Sequence, residues 1–440
     1  MRMRAVCAVL GLWLLGGASA LAAAPLSLSE ALARAEHQNA ELRAARSAAE
    51  ADGQRGAAAA RMYWPRVSVA ADYSRTDNPA RVFASRLNRG ELTAEDLAVD
   101  RLNTPSALGH FVATATVDLP LDIFGKVRAQ AQTARAVGRA SDSQVEEARQ
   151  DLRLRVIEAY RRAVLAAAAL DVTRRAQEGA RARESQLEAR VAEGGALRAD
   201  LLRARARRRR READLAEREG ERRVALAGLA RLIGARADEA VEPNESVTAP
   251  GPLTVELPSA TEQAVHGRAA LRAAGERLSA ATWTARGTRR ARLPDLGLYA
   301  QAQNDRGSLD SGRTSTSVGL TMRWNVFDAP LWKRAEAAAA DERAARATLD
   351  GALEQIRLET AMAFERARAA REQHAAAAGG AEEGREALRV IQERRASGMA
   401  TLTDELETEA ASLAAELEEL RAATEAAVAD AALQRAMGTL

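Results

Sequence analysis

Large side chains are scarce in this 440-residue sequence, with aromatics at only 3% of the total. So little bulk cannot fill one thick globular core, although the length is that of two or three ordinary domains. Cysteine occurs once, at Cys7, which excludes a disulfide framework and a Cys-based metal site. Lysine occurs only at Lys126 and Lys333. The eleven prolines are clustered, with none between Pro120 and Pro243 and none after Pro330. The four histidines, His37, His110, His266 and His374, are scattered without metal-ligand spacing. There is no phosphate loop, nucleophile elbow or zinc-binding helix motif, so no catalytic residue and no cofactor is expected.

What the sequence has in abundance is alanine, 106 residues, the best helix former and one that permits close helix approach. The proline-free intervals therefore permit very long helices. A stripe at Val145, Ala148, Leu152, Val156, Ala159, Ala163, Ala166 and Leu170 steps by three and four, the coiled-coil period. Leu402, Leu406, Leu413, Leu417 and Leu420 form a second stripe. The first interval predicts a helix over about 129–193, roughly 95 Å long.

Arg2 and Arg4 precede the apolar run Ala5–Leu15, and small residues follow through Ala22. This is the layout of a cleaved export signal, and residues 1–22 are expected to be one. The formal net charge of +3 falls to +1 once Arg2 and Arg4 are removed. No later run reaches the ~18 apolar residues of a membrane helix, so membrane entry requires β-strands.

Aromatics crowd into two windows that carry strand text. Phe111, Ala113, Ala115, Val117 and Leu119 alternate with Val112, Thr114, Thr116 and Asp118. Val318, Leu320, Met322 and Trp324 alternate with Ser317, Gly319, Thr321 and Arg323. Partner strands are expected near Val67–Arg75 and Asp295–Asn304, giving hairpins at about 66–121 and 294–326. Runs of about ten residues with aromatics at their ends suit a membrane β-barrel. The segment 76–107 is expected to be a long polar loop.

The chain also matches itself. A shift of 229 places Leu42 on Leu271 and Pro65 on Pro294. A shift of 204 places Tyr160 on Phe364, Gly194 on Gly398, Asp200 on Asp404, Leu229 on Leu433 and Gly234 on Gly438. The expected organisation is a repeat over 23–242, a Pro-rich linker over 243–259 and a second repeat over 260–440. Two strands per repeat give four per chain, too few to close a barrel, and open edges are not tolerated in lipid. Two chains would make eight strands around a filled interior, whereas three make twelve around a pore. A pore favours three, so the expected fold class is an α+β membrane protein, a trimeric 12-stranded barrel whose long helices could close a matching α-helical coiled-coil barrel.

The sequence resembles the TolC-like outer membrane efflux family over essentially its whole mature length. The carriers are Leu26-Ser27-Leu28-Ser29-Glu30-Ala31, Tyr63-Trp64-Pro65, Leu119-Pro120-Leu121-Asp122-Ile123-Phe124-Gly125, Trp324-Asn325-Val326-Phe327-Asp328, and the Gly194 and Gly398 turns leading to Asp200 and Asp404. The resemblance implies a homotrimeric, non-catalytic conduit in the outer membrane of a Gram-negative bacterium, with a periplasmic tunnel. It implies tripartite efflux or type I secretion, with a periplasmic adaptor protein and an inner-membrane pump or ABC exporter as partners and outer-membrane lipid around the barrel. It further implies adaptor docking at the tips Gly194, Gly195 and Gly398, and a pore constriction at Asp404, Glu407 and Asp200. The family's aromatic and basic closure partners are replaced by Arg395 and Ala400, leaving Arg395–Asp200 as the candidate closure pair. The alternatives are a periplasmic adaptor, for which the Gly-Lys-rich lipoyl-like text is lacking, and a coiled-coil scaffold, which needs neither signal nor strands. The run Arg207–Arg211 has Glu212, Asp214, Glu217 and Glu219 beside it and is expected to be solvated or ion-paired, with no nucleic acid as partner.

Overall fold

The computed structural model describes residues 25–236, 239, 241–307 and 312–440. The expected export signal lies outside the described residues. The chain begins with β1 (Pro25–Leu26), α1 (Leu28–Gln38) and α2 (Ala40–Ala60). Strand β2 (Arg66–Thr76) leads through α3 (Pro79–Arg89) and α4 (Val99–Asn103) to β3 (Leu108–Leu121). Helix α5 (Lys126–Ala192) then turns into α6 (Arg198–Leu232), and β4 (Glu242–Pro243) follows. The order recurs with α7 (Leu257–Gly267), α8 (Ala269–Arg290), β5 (Asp295–Arg306), β6 (Gly312–Arg323), α9 (Ala329–Ala396) and α10 (Leu402–Met437). Helices α5 and α9 run 67 and 68 residues, about 100 Å each.

The duplication extends to packing. Tyr160, Ala163 and Leu229 are buried with Ala31 and Ala35 in one core. Their counterparts Phe364, Ala367 and Leu433 pack with Ala260 in another. Alanine at these crossings brings backbones close, so small residues make the core that the few aromatics cannot. Tyr160 uses its polar end as well, donating from Oη to the Leu26 carbonyl at 2.9 Å. The repeat is broken at one informative position. Asn39 caps α2 with its own side chain, accepting from the Glu41 and Leu42 amides at 3.0 and 3.1 Å. Arg268 stands at the matching place before α8, and the capping carboxylate comes instead from Glu147 of α5, which accepts from the Ala270 amide at 3.0 Å.

The four long strands form one antiparallel sheet in the order β2-β3-β5-β6. The register sorts its faces. Tyr73 pairs with Phe111, Ala71 with Ala113, Val69 with Ala115 and Val67 with Val117. Leu119 pairs with Leu298, and Val117 with Ala300. Leu298 pairs with Leu320, and Ala300 with Val318. Paired residues share a face, so one face is a continuous apolar band. The other carries Ser68, Thr114, Thr116, Gln301, Gln303, Ser315 and Ser317. The apolar face is left exposed, with Val67, Val69, Tyr73, Val318 and Leu320 uncovered, whereas a soluble sheet buries its apolar face; an exposed apolar band is what the lipid side of a membrane barrel requires. Among the described residues, the outer strands β2 and β6 each have one unpaired edge. Among the described residues no helix is long and apolar enough to cross a membrane.

The connection 76–107 departs from the expected polar loop. It folds into two helices around a small core of its own, with Val82 buried and Arg86 paired with the buried Asp96. Thr93 and Asp96 cap each other there. The apolar residues are spaced over single turns, too short a pattern to stand out among the polar text.

Candidate gate and docking site at the helix tips

Two long helices end alike. After α5, Gly194 adopts φ 76° and the Gly195 amide donates to the Arg190 carbonyl at 2.8 Å. After α9, Gly398 adopts φ 77° and the Met399 amide donates to the Arg394 carbonyl at 2.8 Å. Each is a helix stop that needs a residue in the left-handed region. Of the expected tip glycines, Gly194 and Gly398 meet that need, whereas Gly195 does not have positive φ. Nothing lies near a Cβ added at Gly194 or Gly398, so the cost of a side chain there is backbone strain alone. Gly194→Ala and Gly398→Ala should each weaken the turn by about 1–2 kcal/mol. Hydrogen exchange at the Gly195 and Met399 amides should quicken severalfold. Gly195→Ala, whose Cβ meets the Arg190 carbonyl at an ordinary 3.5 Å, should leave exchange nearly unchanged.

The tips sit side by side. Leu187, Leu201, Ala204 and Leu402 are buried together, so α5, α6 and α10 share a small apolar contact. Thr401 starts α10 as a capping box: its amide and hydroxyl donate to the Asp404 carboxylate at 2.8 and 2.7 Å. The Thr401 hydroxyl, then its amide, hold the Asp404 carboxyl below the ordinary aspartate value. Glu407 is exposed, one turn further along.

The expected bond between Arg395 and Asp200 is not made within the protomer. Asp200 accepts from Arg203, three residues along its own helix, at 3.4 Å. Arg395 instead donates to Glu405, the neighbour of the expected Asp404. Glu405 is buried and also accepts from Arg183 of α5 at 3.1 Å, while Arg183 binds Glu409 as well. This network ties α9 and α10 to α5. Its signal was present in the sequence: Glu405 and Glu409, four apart, flank the Leu402–Leu406 stripe, where charged residues of a helical seam are expected.

The arginine run is absorbed by the same seam. Arg208 pairs with Glu184 and Glu212 at 2.5 Å each, and Arg210 and Arg211 with Asp214 at 3.2 Å each. Arg207 donates to the Leu406 carbonyl at 3.2 Å. Burial, and then the charge of Arg211, lower the Arg207 guanidinium from its ordinary value. The contacts of Arg208, Arg210 and Arg211 are interhelical and intrahelical ion pairs, as expected. Among the described residues no cluster of His, Cys, Asp and Glu is arranged to hold a metal.

The family model described as outer membrane efflux protein matches residues 30–235 and 260–439. The chain belongs to that family. The efflux protein is therefore an outer-membrane channel of a Gram-negative bacterium that continues as a periplasmic helical tunnel, a passive conduit and not an enzyme. The adaptor and scaffold alternatives fall with that membership. No curated protein matches the sequence. Solved structures share the fold. A membrane protein from Pseudomonas aeruginosa superposes with TM-score 0.81 at 22% identity, covering 93% of each chain. The Campylobacter jejuni CmeC outer membrane channel superposes with TM-score 0.81 at 18% identity, over 94% of this chain and 85% of its own. The outer membrane protein VceC from Vibrio cholerae gives 0.77 at 20% identity, over 93% and 96%.

Proposed function

We propose that three copies of this efflux protein close a twelve-stranded barrel and serve as the exit duct of a tripartite exporter. The observation that carries the reading is the four-stranded sheet, apolar on one face and open at β2 and β6. Such edges are not stable in hydrocarbon, and joining each β2 to a neighbouring β6 removes them. The periplasmic adaptor docks on the tips around Gly194, Gly195 and Gly398, where Leu197 and Met399 stand exposed. An inner-membrane pump or ABC exporter supplies the energy that a passive duct lacks. Heating a mature outer-membrane extract should convert a trimer band to a monomer, and the trimer should conduct in planar bilayers. A monomer released from envelopes by a salt wash overturns the reading.

The second half of the proposal concerns the pore end. Three copies of Asp404 and Glu407 set six carboxylates around the axis, a field that attracts cations. Asp200 stands at the matching place of the first repeat and completes the acidic lining. The Asp404 carboxylate is engaged by Thr401, so the freely oriented charge is that of Glu407. Glu407→Gln should weaken block of single-channel current by divalent cations severalfold. Identical block in the variant removes the ring.

A further inference from the structure

The sheet carries a buried polar cluster at the end away from the long helices. His110 and Asp305 belong to the polar face of the sheet: His110 pairs with Ser74, and Asp305 with Val112. They lie near the ends of β3 and β5 that adjoin the 76–107 connection. Both are covered: Asp305 is 2% exposed, and the side chain of His110 12%. What covers them is the end of α3. The Arg89 side chain, only 4% exposed, donates from Nε to His110 Nδ1 at 3.2 Å and also reaches the Gly109 carbonyl. His110 Nε2 stands 3.1 Å from Asp305 Oδ1. Guanidinium only donates, so Nδ1 accepts and the imidazole proton sits on Nε2, facing Asp305. Gln303 holds the same carboxylate through both oxygens, at 3.2 and 3.0 Å.

The chain Arg89–His110–Asp305–Gln303 thus links a loop helix to the inner face of two strands. The loop it holds is a stiff body with its own buried Val82 and its Arg86–Asp96 pair. It joins the strands covalently through the short segments at 77–78 and 104–107, between helix and strand. Beside the latch, Gly90 lies close to the Arg313 guanidinium of β6, so the loop crosses from β3 over β5 towards β6. The register places this crossing on the face opposite the apolar band.

We propose that the α3–α4 loop is an outer lid on the pore mouth, latched shut by Arg89 on His110 and Asp305 and releasable independently of the helix tips. This rests on the barrel reading above, since it takes the polar face to be the pore wall. The test uses the full-length protein in intact cells, in a Cys7→Ser background, with Ser317→Cys as a reporter on the pore wall. A membrane-impermeant 5-kDa maleimide-polyethylene glycol is added from outside. Arg89→Ala should raise the labelling rate by about tenfold, the shift in open population given by losing one charge-assisted buried bond. His110→Gln, which keeps bulk but loses the ring geometry, should raise it in the same direction. Arg81→Ala, on the same helix but outside the latch, should not change it. Equal labelling in wild type and both latch variants, with the trimer band intact, overturns the latch. Absence of the trimer band in the reporter protein itself would instead overturn the barrel reading.

Discussion

Arg268→Ala should cost about 2–3 kcal/mol of protomer stability, the range for losing charge-assisted bonds from a buried group whose partners keep other donors. Arg268 sits between α7 and α8 with its side chain 4% exposed. It donates to Glu147 of α5 at 2.8 Å and to Glu359 of α9 at 3.0 Å. Arg435 of α10 meets Glu147 at 2.7 Å and Asp151 at 2.5 Å, closing a network across both repeats. Removing Arg268 leaves Glu147 short of a cation while still engaged as the cap of α8. Burial alone would raise the Glu359 carboxyl. The bonds from Gln355 and Arg268, with the charges of Arg268 and Arg435, outweigh that and hold it below the ordinary glutamate value. A carboxyl depressed on folding stabilises above its unfolded pKa and loses that contribution as pH falls through the folded one. The wild-type protein should therefore lose stability on acidification below the ordinary glutamate range, and Arg268→Ala should show a shallower acid dependence. Thermal unfolding across pH measures both. The Glu147→Gln/Arg268→Ala double variant should be less destabilised than the two single effects combined, because each leaves the other's partner exposed to the same loss. Strict additivity would show that the network is not coupled.

That network also marks where sequence reading ends. The strands announced themselves through alternation, as at Phe111–Leu119, because period two survives in text even when the face is turned to lipid. The long helices announced themselves through missing prolines and a three-four stripe, and the tips through paired glycines whose left-handed backbone admits little else. Arg268, Glu147, Glu359 and Arg435 have no such local signature. They lie on three helices and the junction between α7 and α8, far apart in the sequence, and only the packing of the repeats brings them together. The duplication even pointed away from them, since the position matching Arg268 is the self-capping Asn39.

The tips show the same boundary at closer range. Asp200 was the expected partner of Arg395, yet the residue that receives Arg395 is Glu405, the neighbour of Asp404. A helix turns by 100° between neighbours, so adjacent carboxylates face different partners. Asp404 turns back to Thr401, whereas Glu405 turns into the seam towards Arg183. Register along a helix was readable; which face meets which neighbour was set by the Leu187–Leu402 contact, a long-range fact. The lid is a further case. Val82 and Phe83 lie within one short turn-rich segment, where a helix of eleven residues gives too little periodicity to be separated from a loop.

The second large effect tests the sorting of the sheet into faces. Val318→Arg places a charge on the apolar band of edge strand β6, near the middle of the strand. A cationic side chain facing lipid near the midplane costs about 2–4 kcal/mol, and assembly repeats the penalty in every protomer. Ser317→Arg moves the same charge by one residue, which turns it to the polar face beside Gln301. The expected outcome is a sharp split: Val318→Arg abolishes the heat-sensitive trimer in the outer membrane, and Ser317→Arg keeps the trimer while changing conductance and ion selectivity. The introduced side chain, its size and its charge are the same in both variants, and the face it enters differs. If the two variants assembled equally well, the register-based assignment of lipid and pore faces would be lost. With it would go the argument that β2 and β6 must find each other across protomers, because edges bathed in water need no partner.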